Sequence, residues 1–326
     1  MNLYYYVNNT KNFGDDMNHW FWDELLPGFQ NIEPDTTLFG IGTILNEKLM
    51  SQYSKILVCG SGAGYGSPMN IDFNRIEISW VRGPRTAYQL KLDPSLAITD
   101  PACMVTKMSK FKDIPRGNGG TIFIPHRSTA QLDLNWSRLG DKAGLNVVLP
   151  TGEANEIISK IANAELVITE SLHGAIFADA FRVPWIALSI SNEFNDFKWQ
   201  DWSSSVEVEL QVYQAWSMLH KSWFALNTVK NWLRTSNNTL TAKSKKKHAD
   251  LDIKNSSNNN IEDDQGHQKI KFLISKYAYI FEHLLAQDLN RAKQRKPQLS
   301  RNDVIIDRIH KIEDRLDILN KRITGI

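Results

Sequence analysis

The sequence is poor in cysteine, in long apolar runs and in excess charge of either sign. Only Cys59 and Cys103 occur among 326 residues, which excludes a disulfide framework and a four-cysteine zinc site. No HExxH and no clustered cysteine–histidine pattern appears, so no tightly held metal is expected. No stretch reaches the roughly 18–20 apolar residues of a membrane-spanning helix. The opening run Leu3–Val7 lacks a basic flank and soon meets Asn8, Asn9 and Lys11, unlike a signal peptide. A cytoplasmic location is therefore expected, with any membrane contact peripheral. Lysine plus arginine number 38 against 36 acidic residues, a formal net charge of +2, and that balance argues against nucleic acid as a partner. What is abundant is core material. The chain is 42% hydrophobic and 23% charged, a globular composition whose length suits about two domains, or one large α/β domain with appendages.

Short β-like and helix-like runs alternate over the first 190 or so residues. Leu3–Val7, Thr37–Ile41, Lys55–Cys59 and Glu77–Val81 read as strands, with helices over Met17–Leu26 and Arg85–Leu92. The rhythm restarts with strands at Thr121–Pro125, Leu145–Leu149, Glu165–Thr169 and Val183–Leu188, and helices at Glu153–Ala164 and near Gly174–Phe181. Apolar strands covered on both faces imply parallel sheets, and the polar Pro115–Gly120 lies between the two series. The expected architecture is α/β: two Rossmann-like domains, 1–114 and 115–205, facing a central cleft at their carboxyl edges. One continuous sheet is the alternative.

Beyond residue 205 the character changes. A helical segment over 206–235 would pack Trp216, Trp223 and Trp232 on the core, and the serine-, asparagine- and lysine-rich 236–265 reads as a flexible linker. Its Lys243–Lys247 run is either a solvated cluster or a contact for anionic lipid. The remainder, 266–326, is a helical extension with a heptad seam at Ile305, Ile309, Ile312, Leu316, Leu319 and Ile323. Such a seam serves a homo-oligomer or docks in cis, and its spacing does not distinguish them.

Candidate chemistry gathers just after the strands. His173 stands in Thr169–Gly174 (TESLHG), at a helix mouth where amides and dipole favour an anion. A histidine there can donate to an oxyanion or act as an acid once an anion raises its pKa; Glu170 is the competing acid. His126 and Arg127 end another strand, and Arg82 and Arg85 follow a third. Guanidinium forks gathered round a cleft suit a small, multiply anionic substrate. Asn12, Asp15 and Asn18 lie in a loop at the first strand's carboxyl edge, where they can bind sugar hydroxyls. Gly62, in Gly60–Gly64 (GSGAG), lets backbone approach a ligand closely.

Taken in order, NFGDDMN at Asn12–Asn18, GSGAG at Gly60–Gly64, SWVRGPRT at Ser79–Thr86, ITDPA at Ile98–Ala102, IPHR at Ile124–Arg127 and SLHGAIFADAFRVPWIAL at Ser171–Leu188 resemble the polysaccharide pyruvyl transferase family. KWQDW at Lys198–Trp202 is similar to its exopolysaccharide branch. The resemblance implies a GT-B-like pair of domains, the first on the acceptor side and the second on the donor side. It implies transfer of pyruvyl from phosphoenolpyruvate, a co-substrate with no tightly bound cofactor, to two hydroxyls of one sugar in a glycan or lipid-linked oligosaccharide. Donor contacts would come from Arg82, Arg85, His126, Arg127, Ser171 and Leu172, with His173 as the acid. Many family members carry arginine where Ser171 stands, so Arg82 or Arg127 is expected to supply that contact. A nucleotide-sugar glycosyltransferase on the same architecture, or a non-catalytic scaffold of polysaccharide assembly, are the alternatives.

Overall fold

A computed structural model describes residues 1–7, 10–65, 72–191, 194–215 and 278–325. The alternation of the sequence becomes two sheets. In the first, β1 (Asn2–Tyr4), β2 (Thr36–Phe39), β3 (Lys55–Cys59) and β4 (Ile76–Trp80) lie in that order, each neighbouring pair parallel. The second runs β6 (Asn146–Val147), β5 (Thr121–Ile124), β7 (Leu166–Thr169), β8 (Trp185–Ser189) and β9 (Val212–Gln214), and β6 to β8 pair in parallel. Parallel strands need crossovers, and the crossing helices bury both sheet faces. All of β2 and the last four residues of β3 are accordingly buried.

The chain divides into two compact units, the larger holding both sheets: Met1–Gln131, Leu145–Tyr213 and Ala292–Ile326. Its main apolar cluster draws Phe13, Phe21 and Trp22 from the first half, Ile124, Ile158 and Phe177 from the second, and Ile312 and Leu316 from near the C-terminus. Helices of this unit are α1 (Phe13–Asp16), α2 (Asn18–Leu25), α3 (Glu47–Met50), α4 (Pro84–Gln89), α5 (Arg127–Ala130), α7 (Ala154–Asn163), α8 (Leu172–Ala180), α9 (Asp196–Ser205) and α11 (Asn302–Thr324). The smaller unit comprises Leu132–Gly144 and Gln214–Arg291. There α6 (Trp136–Ala143) meets α10 (residues 278–292) through buried Glu282, which accepts from the Asn135 amide at 2.7 Å and Arg138 Nε at 2.7 Å.

Two expectations change, and the heptad seam, left open between a partner and this chain, falls on the chain's own core. First, α8 begins at Leu172 and not near Gly174, so His173 sits within the first turn. Second, residues 206–211 are not helical and Val212–Gln214 is a strand; the rest of 206–235, the 236–265 linker and 266–277 lie outside the described residues. Valine and tyrosine at 208, 212 and 213 favour extended backbone over helix. The seam of α11 is spent within the chain: Ile305, Ile309, Ile312, Leu316 and Leu319 are buried in the shared cluster. The segment is stitched down by the Trp185–Gln298 bridge, by Ser300 on Asp179, and by Arg322 on Glu33 and Glu77. Among the described residues no helix is long and apolar enough to cross a membrane.

Candidate active site

Carboxyl ends of strands from both sheets converge on a cavity of about 520 Å³. Asn12 reaches it from the loop after β1 and Asp15 from α1, Arg82 from just after β4, His126 and Arg127 from just after β5, Ser171 from the turn after β7, Leu172 and His173 from the start of α8, and Lys198 from α9. The first half reaches across to the second through α1, where the Phe13 amide donates to Pro150 O at 3.0 Å and the Phe13 ring lies 5.7 Å from Phe177. Gly14 in that turn packs on the His173 imidazole so tightly that a Cβ would overlap it. The ring is thus pinned between α1 and Phe177, whose centroid lies 6.0 Å away.

Arg82 is held from all sides. A register shift between Val58 and Cys59 brings the end of β3 against β4, and the Arg82 amide donates to Ser61 O at 3.2 Å. Its Nε donates to Asp201 Oδ2 at 3.0 Å, Nη1 to Thr43 Oγ1 at 2.7 Å and Nη2 to Ala63 O at 2.9 Å. Asp201, on α9, also accepts from the Thr86 amide at 2.8 Å and Thr86 Oγ1 at 2.6 Å. Arginine and aspartate are both fully buried, and removing either from such a pair strands a charge at about 3–5 kcal/mol. Arg82 is therefore part of the scaffold as well as of the cavity wall.

Electrostatics follow from this crowd of cations. Burial, then Lys198, then Arg82 push His173 down to about 3. Burial with Lys198 and Arg127 pushes His126 down to about 4. Both values lie well below neutral pH, so these surroundings favour the uncharged imidazoles. The acid among them is Asp15, raised to about 6, chiefly by burial and against the pull of Asn12, Lys198 and Arg127. His173 Nε2 is buried without a hydrogen-bond partner, while Nδ1 lies against Gly14, which leaves Nε2 to meet a ligand. Ser171 caps α8 without a side-chain hydrogen bond. Its amide donates instead to Thr169 Oγ1 at 2.9 Å. An anion in such a cavity meets guanidinium, ammonium and imidazole donors together.

Apart from Lys198 and Asp201, the charged and histidine residues of this constellation lie inside one matched stretch of sequence. The profile of the polysaccharide pyruvyl transferases matches residues 12–192, more than half the chain. The chain belongs to that family. It is also 46% identical over 209 residues to the succinoglycan biosynthesis protein ExoV of Rhizobium meliloti (strain 1021), a stretch covering 64% of this chain and 66% of that protein. The chain thus spans just under two thirds of that relative's length, and the likeness places it in the exopolysaccharide branch.

The pyruvyl transferase motifs divide into those that line the cavity and those that build it. Asn12, Asp15, Arg82, His126, Arg127, Ser171, Leu172 and His173 line it. Arg85 does not: it is exposed on α4, whose next two residues, Thr86 and Ala87, face inward. Nor does Asn18, which is wholly buried. Its Nδ2 donates to Asp15 O and Ile41 O, and its Oδ1 accepts from Trp22 Nε1 and the Ile41 amide. Gly62 backs onto the Arg82 guanidinium, where a Cβ would collide. Glu170 is turned inward too. Its carboxylate accepts from the His126 and Ile190 amides at 3.0 and 3.2 Å, and from the amide and hydroxyl of Ser191, both at 2.8 Å. The Glu170 carboxylate thus holds the His126 amide and the start of the loop after β8. Lys198 and Thr43 are cavity residues that sequence reasoning missed, although KWQDW contained Lys198 and its anchor neighbour Asp201.

Proposed function

We propose that this pyruvyl transferase homologue moves a pyruvyl group from phosphoenolpyruvate onto two hydroxyls of one sugar of an exopolysaccharide precursor. The products are a cyclic ketal and phosphate. The acceptor is a glycan or lipid-linked oligosaccharide at the cytoplasmic face, and the two parallel-sheet halves work as a GT-B-like pair, residues 1–114 toward the acceptor and 115–205 toward the donor. The supporting observation is that Arg82, Arg127, Lys198, His126 and His173 share one cavity, a cationic enclosure matched to an ester with both carboxylate and phosphate.

The chemistry then follows from the side chains. A proton passes to C3 of the enolpyruvate, and the cation developing at C2 is captured by one hydroxyl, which gives up its own proton. Cleavage of the C2–O bond expels phosphate, and the second hydroxyl closes the ring on C2. The two hydroxyl protons balance the one placed on C3 and the one taken up by phosphate. His173 is the proton source. Burial, Lys198 and Arg82 favour its neutral form, and a bound trianion offsets those cations and raises its pKa.

Binding of donor should therefore draw a proton onto His173. The bound-state pKa exceeds the free one, so this contribution to affinity is full at low pH and lost as pH rises through the bound value. Calorimetry at about pH 7 in buffers of different ionisation heat should show greater proton uptake by wild type than by His173→Ala. Equal uptake would remove His173 as the responding group.

The two arginines separate cleanly. Arg127, half-buried and donating to Thr10 Oγ1 at 3.0 Å, lines the cavity, so Arg127→Ala should raise the phosphoenolpyruvate KM about tenfold with little change in kcat. Arg85→Ala should stay within about twofold of wild type on both parameters. The reading as a whole is tested by phosphate release from phosphoenolpyruvate that depends on a saccharide acceptor. Turnover of UDP- or GDP-sugars with phosphoenolpyruvate ignored would replace it by glycosyl transfer.

A further inference from the structure

Two chemical sets stand out among the residues lining the cavity. One is cationic: Arg82, His126, Arg127 and Lys198. The other is aromatic and amide-bearing: Tyr4 and Tyr6 at the end of β1, Asn46 and Gln52 flanking α3, and Tyr65 after β3. Tyr6 and Tyr65 are 46% and 52% exposed, large rings kept in contact with water at a cavity. Tyr4 behind them is fixed, stacked on Phe39 at 5.0 Å and tilted against Tyr53 at 5.5 Å. Asn46 is fixed as well, its Oδ1 capping α3 through the Leu49 amide at 3.0 Å. Of the residues expected to hold sugar hydroxyls, Asn12 and Asp15 line the cavity, whereas Asn18 is saturated and Gly62 is covered by Arg82.

We infer that Tyr6 and Tyr65, with Asn46 and Gln52, form the subsite for a neutral pyranose ring of the acceptor saccharide. A pyranose presents an apolar C–H face that covers an aromatic ring, and equatorial hydroxyls that need paired donors and acceptors, which amides provide. These three tyrosines and two amides carry no formal charge, in contrast to the cationic set, so a polyol suits them better than a second anion. The space is sufficient: about 520 Å³ lies in the range that encloses a drug-sized ligand, well beyond a three-carbon ester. The subsite deepens the pyruvyl-transfer reading, on which its role as acceptor subsite rests, but sugar binding itself is testable without turnover.

The experiment uses the full chain and ligand-observed NMR, with methyl β-D-glucopyranoside, methyl β-D-galactopyranoside and, separately, phosphoenolpyruvate as probes. Wild type should bind at least one glycoside. Tyr6→Ala and Tyr65→Ala should each weaken it about two- to tenfold, the size of a lost aromatic face, and leave phosphoenolpyruvate affinity within about twofold. Tyr6→Phe and Tyr65→Phe should retain wild-type binding, because the ring face and not the hydroxyl carries the contact. The inference is overturned if wild type binds neither glycoside, if the alanine variants bind glycoside normally, or if they lose both probes in parallel. Tyrosine-dependent glycoside binding by a protein that ignores phosphoenolpyruvate would keep the subsite and discard the pyruvyl-transfer reading.

Discussion

His173→Ala is expected to lower kcat by about 10³-fold or more, in the upper part of the range for loss of a positioned acid, while the phosphoenolpyruvate KM moves only a few-fold. The separation follows from where the charges are. Arg127 and Lys198 still line the cavity in the variant, so the donor is still held; what is lost is the one imidazole whose Nε2 is buried and unpartnered. Stability should change little, because a desolvated nitrogen without a hydrogen bond contributes nothing to the fold, and the loss of ring contacts with Phe13 and Phe177 is partly offset by its removal. Circular dichroism and the thermal midpoint check the fold; steady-state kinetics check the split. Unchanged kcat would place the acid elsewhere.

The second large effect concerns stability. Ile312→Asp, or removal of residues 292–326, should leave the chain insoluble or without a cooperative unfolding transition. Ile312 is fully buried in the cluster shared with both sheets, and an unpaired carboxylate there costs several kcal/mol against a total stability of about 5–15 kcal/mol. Deleting the segment also uncovers the apolar surface beneath Ile305, Ile309, Leu316 and Leu319. Ile318, on the same helix but 61% exposed, is the control: Ile318→Asp should shift stability by no more than about 0.5 kcal/mol. A folded Ile312→Asp protein with the wild-type midpoint would mean that α11 is an independent appendage.

Different kinds of residue reveal their roles by different patterns, and some by none. β3 was legible to the residue, Lys55–Cys59, because a fully buried parallel strand is a short apolar run bounded by polar residues and glycine. The cavity's histidines and Arg127 were legible because carboxyl ends of parallel strands are where ligands bind. The fate of the heptad seam was not, since the same spacing serves a partner helix and a chain's own core. Asn18 and Glu170, expected at the site, are seen in the structure to serve buried backbone amides instead of lining the cavity. Amides and carboxylates that ligate substrates are the same groups that satisfy buried backbone amides, and only coordinates tell which they do. Asp201 lay inside the KWQDW motif, but nothing pointed to its pairing, because its partner Arg82 lies 119 residues away and carries no periodicity to point to it. Arg85 was inseparable from Arg82 in the motif, yet the helix starting at Pro84 turns it outward.

Group transfer from an enolpyruvate ester within the cavity is what every catalytic role above depends on. Its most direct measurement is carbon-13 NMR and mass analysis of an exopolysaccharide-type oligosaccharide incubated with the full chain and phosphoenolpyruvate labelled at C2. The expected product is heavier by the mass of pyruvic acid less one water. It shows a labelled ketal carbon bonded to two sugar oxygens, with one phosphate released for each ketal formed. An oligosaccharide recovered unlabelled beside intact phosphoenolpyruvate, and extended by a hexose when a nucleotide sugar is supplied, would contradict it.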